Sequence, residues 1–163
     1  SDLLKHRGNQ VTVRLVGADD SPFSRRIRRK ATIADSRVEI IGRTADKALL
    51  REHLRWADVL VVPSFTETFG LVYAEALSQG TPIICTKGQG FDGWFTPGQS
   101  GLAVEPHDIT GIADGVQKLA QSFDSTVCVD DAQQFRWPRI AEQYVNLYRD
   151  ILENPREHHG EMP

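Results

Sequence analysis

Two short apolar runs, set on either side of Pro63 to Gly80, limit most strongly what this chain can fold into. Val59-Leu-Val-Val62 and Thr81-Pro-Ile-Ile-Cys85 are rich in β-branched residues and carry no charge, as strands buried on both faces of a parallel sheet do. Between them a loop leads through Gly70 into a helix that stops at Gly80, a natural residue just past a helix end. The unit is strand–loop–helix–strand. In an open parallel sheet, ligands bind at the carboxyl end of the first strand of such a unit. Loop residues 64–70 therefore stand where a small-molecule site belongs.

The residues of that loop point to a particular chemistry. A helix opening near Gly70 aims unpaired backbone N–H groups and a partial positive charge out of its N-terminus, a place that suits a diphosphate. Gly70 has no side chain to keep a ligand off the backbone. Glu67 precedes the helix and Glu75 lies within it, with seven residues between them. A carboxylate beside phosphate repels it, so these two should face hydroxyls. An ionised carboxylate accepts two hydrogen bonds and fits a vicinal diol on a sugar or ribose ring. A diphosphate with a diol on each side describes a nucleotide-sugar. Taken singly, each residue has a plainer reading: Glu75 as a solvated helix residue, Glu67 as an electrostatic cap.

Taken together, Pro63-Ser64, Glu67, Phe69-Gly70-Leu71-Val72, Glu75-Ala76 and Gly80, all after an apolar strand, resemble a known signature. It is the Glu-x7-Glu pattern of retaining glycosyltransferases of the GT-B fold, family 4 type (glycosyl transferases group 1). The resemblance implies that Glu67 contacts the donor sugar at the catalytic position and that Glu75 holds the nucleotide ribose. It further implies that the backbone of Thr68, Phe69, Gly70 and Leu71 lies against the diphosphate and sugar. The segment Thr86 to Gly98, with glycines at 88, 90 and 93, reads as a second ligand loop, and Gly90 is expected beside the donor sugar. Family members usually carry a Glu in this segment. Counting back from Ser100-Gly-Leu-Ala-Val104, its position falls on Gly93, with Asp92 adjacent, and this departs from the family pattern.

The expected fold is α/β: a Rossmann-like parallel sheet with helices on both faces, the C-terminal half of a GT-B fold lacking its first strand. The resemblance covers about residues 3 to 153, so 1–153 is expected as the nucleotide-sugar-binding domain and 154–163 as a disordered tail. Nothing matches the family's N-terminal acceptor domain or the Arg and Lys that clamp the diphosphate; Arg14 and Lys87 are the available cations. In the usual 3-2-1-4-5-6 order, strand 1 separates the strands at 11–16 and 59–62, so these two should not pair directly. The implied reaction moves a hexosyl group, with retention, from a UDP- or GDP-sugar to a hydroxyl of an acceptor sugar, lipid or other compound bound mainly by the N-terminal domain. The resemblance implies no metal and no cofactor, and the chain alone is expected to be inactive. Two other readings remain: a non-catalytic nucleotide-sugar-binding module, which Gly93 favours, and a GT-B-fold sugar-nucleotide epimerase.

The rest of the chain frames this unit. A chain of 163 residues suffices for one domain with a core, and a net charge of −3 gives no field that argues for nucleic acid. No signal peptide or long apolar span is evident, and Cys85 and Cys128 lack metal-ligand spacing. Cys85, which ends an apolar run, is expected as a buried, reduced thiol, and the reading is a cytoplasmic chain. Strands are expected at 11–16, 37–41 and 102–104, and helices at 25–34, from Asp46 to about Trp56, after Asp108, and from Trp137 onward. On the central helix, Leu71, Ala74, Leu77 and Ser78 form the expected inner stripe. His53 is expected as a satisfied packing residue, and Val127-Cys-Val129 as a strand or buried loop. Arg25, Arg26, Arg28, Arg29 and Lys30 make a basic helix that is either a solvated face or a peripheral contact with an anionic membrane.

Overall fold

A computed structural model of the chain describes residues 4, 10–18, 20–33 and 37–153. The tail expected from Asn154 lies outside the described residues. Strand β1 (Thr12–Val16) leads through helix α1 (Pro22–Ile33) to β2 (Arg37–Ile41), and α2 (Lys47–Trp56) leads to β3 (Leu60–Val61). Helix α3 (Leu71–Ser78) then connects to β4 (Ile83–Thr86), and a long loop to β5 (Gly101–Val104). Helices α4 (Ile109–Ser122) and α5 (Ser125–Ala132), a 3₁₀ turn (Gln133–Phe135) and α6 (Trp137–Glu153) complete the described residues.

The five strands among the described residues all pair in parallel, but in two separate sheets. β1 pairs with β2 in the register Thr12 to Arg37 through Val16 to Ile41. β4 lies between β3 and β5, with Leu60 opposite Ile83 and Ile83 opposite Gly101. β1 and β3 are not paired, as the expected strand order requires. Helix α2 ties the two sheets together. Its Leu54 carbonyl accepts from Thr81 Oγ1 at 2.7 Å, and its His53 Nδ1 lies 3.2 Å from Arg14 Nη1 on β1.

Local chemistry explains most boundaries. The Asp46 carboxylate accepts from the N–H of Ala48 and of Leu49, and Asp108 from that of Gly111, so α2 and α4 start with filled caps. Helix α3 closes with the Thr81 N–H on the Ala76 carbonyl at 3.0 Å and the Gly80 N–H on Leu77 at 2.9 Å. That pair of bonds is a Schellman ending.

Three expectations need correction. Residues 127–129 form neither strand nor loop but the middle of α5. Asp124 caps that helix through the N–H groups of Thr126 and Val127, and Cys128 and Ala132, four residues apart, are buried. The cap and the buried stripe outweigh the β-preference of two valines. On α3 the buried residues are Tyr73, Ala76 and Leu77, while Leu71 and Ser78 are exposed. The helix begins one residue after Gly70, and this phase turns Leu71 outward. His53 faces inward as expected, but its buried Nε2 has no partner among the described residues, so it is only half satisfied.

The core is centred on β4, whose four residues are all buried, and on α3 and α5, which pack on one another. Tyr73, Leu77, Ile83, Cys85, Phe91, Phe95 and Cys128 fill it, with Phe69 and Phe135 against them. Asp131 on α5 latches the loop before β5, accepting from the Thr96 N–H at 2.7 Å, from Thr96 Oγ1 and from Ser100 Oγ. No helix among the described residues is long and apolar enough to cross a membrane.

Candidate functional site

The chain leaving β3 is fastened almost residue by residue. Tyr73 on α3 donates its hydroxyl to the Val62 carbonyl at 2.6 Å, and Thr86 at the end of β4 donates to the Ser64 carbonyl at 2.6 Å. Gln89 reaches back with both ends of its carboxamide. Its Nε2 donates to the Phe65 carbonyl at 2.8 Å, and its Oε1 accepts from the Glu67 N–H at 2.5 Å. The Phe69 ring packs against Phe91 and Phe135 with centroids 5.3 and 5.5 Å away, which leaves only its backbone for a ligand. Anchors of this number hold the loop in one shape before any ligand arrives.

Glycine is required at two points of the site. Gly70 precedes α3 with φ +77°, in the left-handed region, and a Cβ there would strike the Tyr73 ring. The Glu67 carboxyl carbon lies 3.3 Å from where that Cβ would stand, so Glu67, Gly70 and Tyr73 converge at the mouth of α3. At Gly90 a Cβ would fall on the Thr68 carbonyl. The second ligand loop thus lies against the backbone of the first, and this loop-to-loop contact accounts for the glycine at 90. Glu67 is half-buried, whereas Thr68, Leu71 and Glu75 are exposed.

Ionisation follows from burial. Removal from water pushes the Tyr73 phenol up to about 12, with the charges of Cys85 and Glu67 adding to it. Cys85, buried on β4, is likewise pushed up to about 12, chiefly by burial and further by Asp92. Cys128 rises to about 11 for the same leading reason, with Asp131 and Asp124 contributing. Both cysteines are free thiols. Neutral at ordinary pH, they serve as core rather than as nucleophiles.

The structure separates some residues that sequence reasoning had grouped. Arg14 is not an available cation: its guanidinium pairs with Glu39 at 2.8 Å and stacks 3.7 Å from the centroid of the Trp56 ring. Lys87 remains exposed. It borders a groove of about 380 Å³ whose walls include Val104, Glu105, Asp108 and Lys118 but none of residues 64–75. Asp92 accepts from the Gly88 N–H at 2.7 Å, closing its own turn. Gly93 is exposed, with nothing within 4 Å of a Cβ built there, so no acid stands at that place. Sequence reasoning missed Tyr73, Thr86 and Gln89. Only Gln89 carried any signal, as the polar residue in the middle of Gly88-Gln-Gly90.

What results is a half-buried carboxylate over the opening of a helix, at the carboxyl end of a parallel strand. The fixed backbone around it can take an anion, and its acids can take hydroxyls. Comparison with known proteins agrees with that geometry. The glycosyl transferases group 1 model matches residues 2–122. The D-inositol 3-phosphate glycosyltransferase of Corynebacterium glutamicum (strain R) is 35% identical over 115 residues, 65% of this chain and 28% of that protein. The chain therefore spans less than a third of that relative's length. Sucrose-phosphate synthase from Thermosynechococcus elongatus superposes with a TM-score of 0.72 at 29% identity, over 93% of this chain and 41% of that one. Anabaena HepE, solved in complex with UDP, shares the fold with a TM-score of 0.63 at 23% identity, over 89% and 44% of the two chains. The parallel sheets and surrounding helices are those of a GT-B glycosyltransferase, and the chain belongs to the glycosyl transferases group 1 family.

Proposed function

We propose that this chain is the donor-binding part of a retaining glycosyltransferase, which moves a sugar from a nucleoside diphosphate sugar to an acceptor hydroxyl. The observation that carries the reading is the placement of Glu67, held over Gly70 at the mouth of α3 by a loop pinned through Tyr73, Thr86 and Gln89. UDP bound to HepE, a protein of like fold, supports a nucleotide as the anionic portion. In this reading the diphosphate lies against the backbone of 68–71 at the start of α3, Glu67 orients the donor sugar, and Glu75 receives the ribose diol. Catalysis rests on positioning and on stabilising charge on the departing diphosphate. The edges of β1 and β3 that have no partner among the described residues receive a strand from another segment of the same protein, and the acceptor binds mainly to a further domain.

Calorimetric titration with UDP, GDP and their sugars, beside Glu75→Ala, tests the reading. Saturable binding of one nucleotide, weakened in the variant, is expected; equal binding of wild type and variant would remove Glu75 from the site. In the intact enzyme Glu67→Ala is expected to lower turnover far more than stability. Gly93, bare where the family usually has an acid, favours one second reading, a binding module without transfer. Measurable transfer by the full-length protein rules that reading out.

A further inference from the structure

The carboxamide of Gln89 is arranged as a peptide group would be. In a parallel ladder, one residue bonds a carbonyl and an N–H that flank a single residue of the neighbouring strand. Gln89 does this with its side chain, taking the Phe65 carbonyl and the Glu67 N–H on either side of Thr66. Main-chain pairing between β3 and β4 runs up to the Val62 N–H on the Ile84 carbonyl at 3.0 Å. β4 itself ends at Thr86, and its chain turns away into Gly88 to Gly90. Beyond that point the ladder continues through side chains, first Thr86 on Ser64 and then Gln89 on Phe65 and Glu67.

We propose that Gln89 is a positioning residue for Glu67: a side chain that replaces a strand neighbour and fixes the backbone carrying the acid. The local chemistry asks for such a device. Phe65 is 66% exposed, with the His107 ring 4.7 Å away, and Thr66 is exposed, so packing against the core does not hold this stretch. A true strand residue at 89 would draw the second loop straight and displace the turn that Asp92 closes on Gly88. A side-chain amide provides the pairing while its own backbone bends. It also couples the two ligand loops, since Gln89 precedes Gly90, which lies on Thr68. Movement of the glycine loop would thereby move Glu67. The effect on donor binding rests on the reading given above; the clamp itself does not.

Gln89→Met and Gln89→Glu decide the matter in the purified chain. Met keeps the size and loses both hydrogen bonds, whereas Glu keeps the acceptor for the Glu67 N–H and loses the donor to Phe65. Hydrogen exchange followed by NMR is expected to show the Glu67 amide opening about tenfold faster in Gln89→Met, the worth of one amide hydrogen bond. Its protection should be largely kept in Gln89→Glu, with amides of β4 and α5 unchanged in both. UDP-glucose and GDP-mannose are the donor probes, with UDP and GDP beside them. For the pair that binds, Gln89→Met should weaken the sugar nucleotide several-fold more than the nucleotide, because the sugar contact is what shifts. Unchanged exchange at Glu67 overturns the proposal. So does a uniform rise in exchange with a lower melting temperature, which would make Gln89 an ordinary stabilising residue. Equal weakening of nucleotide and sugar nucleotide also overturns it. If the unsubstituted chain binds no probe, the donor reading loses its support, and exchange at Glu67 alone decides whether Gln89 positions the loop.

Discussion

β1 and β4 are both short runs with β-branched residues in parallel ladders, yet they end in opposite environments. β4, Ile83-Ile-Cys-Thr86, is buried at all four positions; β1, Thr12-Val-Arg-Leu-Val16, has no buried position, and Val16 is 39% exposed. The difference lies in what surrounds them. β4 has a partner on each edge, with α3 and α4 against it, whereas among the described residues β1 has β2 on one edge only. An apolar strand becomes core only when its neighbours arrive. The candidate site grows from the half where they have arrived. Its loop is anchored to buried residues, Tyr73 and Thr86, and so inherits the rigidity of the core.

The comparison can be broken most directly by truncation on each side. Ile84→Ala should cost about 3 kcal/mol in urea unfolding, because the site is fully enclosed and collapses poorly. Ile40→Ala on β2, only partly buried, should cost about 1 kcal/mol. Equal losses would show that the two sheets are equally consolidated. Alkali acts next, and again on the enclosed half. Cys85 and Cys128 have folded values near 12 and 11, above the ordinary thiol value of 9.0, so the unfolded chain ionises first. Their contribution is complete below pH 9 and falls as pH rises toward 11 and 12, on the order of 1 kcal/mol for each thiol by pH 10. Melting temperatures that stay flat from pH 8 to 10.5 would contradict that burial. The smallest effect is expected on the open half. Arg14→Ala should cost about 0.5–1 kcal/mol, through lost contact with Trp56 and a partly solvated pair with Glu39. A loss of several kcal/mol would mean that the junction at α2 carries the fold.

What could be read in advance was local. Asp46 and Asp108 mark helix starts because the bond that makes each cap spans only two or three residues. Gly80 marks a helix end for the same reason. Asp124 carried an equally local signal before Ser125 and Thr126, but the valines at 127 and 129 masked it. The face of α3 was misjudged at Leu71 because its phase depends on where the left-handed Gly70 releases the chain. Glu67 and Glu75 were recognisable as a spaced pair. The side chains that hold Glu67 and the loop before β5 in place were not, since Gln89 reaches Glu67 across more than twenty residues and Asp131 reaches Thr96 across more than thirty. Arg14 reads as a spare cation until the fold brings Glu39 and Trp56 around it.

The separation of β1 from β3 has a practical consequence for anyone handling the protein. Among the described residues, each of these strands presents an edge of backbone donors and acceptors to whatever comes near, with Val16, Trp56 and Val61 as exposed apolar neighbours. Such edges are templates for another chain. Kept by itself at high concentration, this polypeptide should be sticky, joining its own copies edge to edge. Dilution, or a short peptide able to lie between the two strands, should keep it monodisperse.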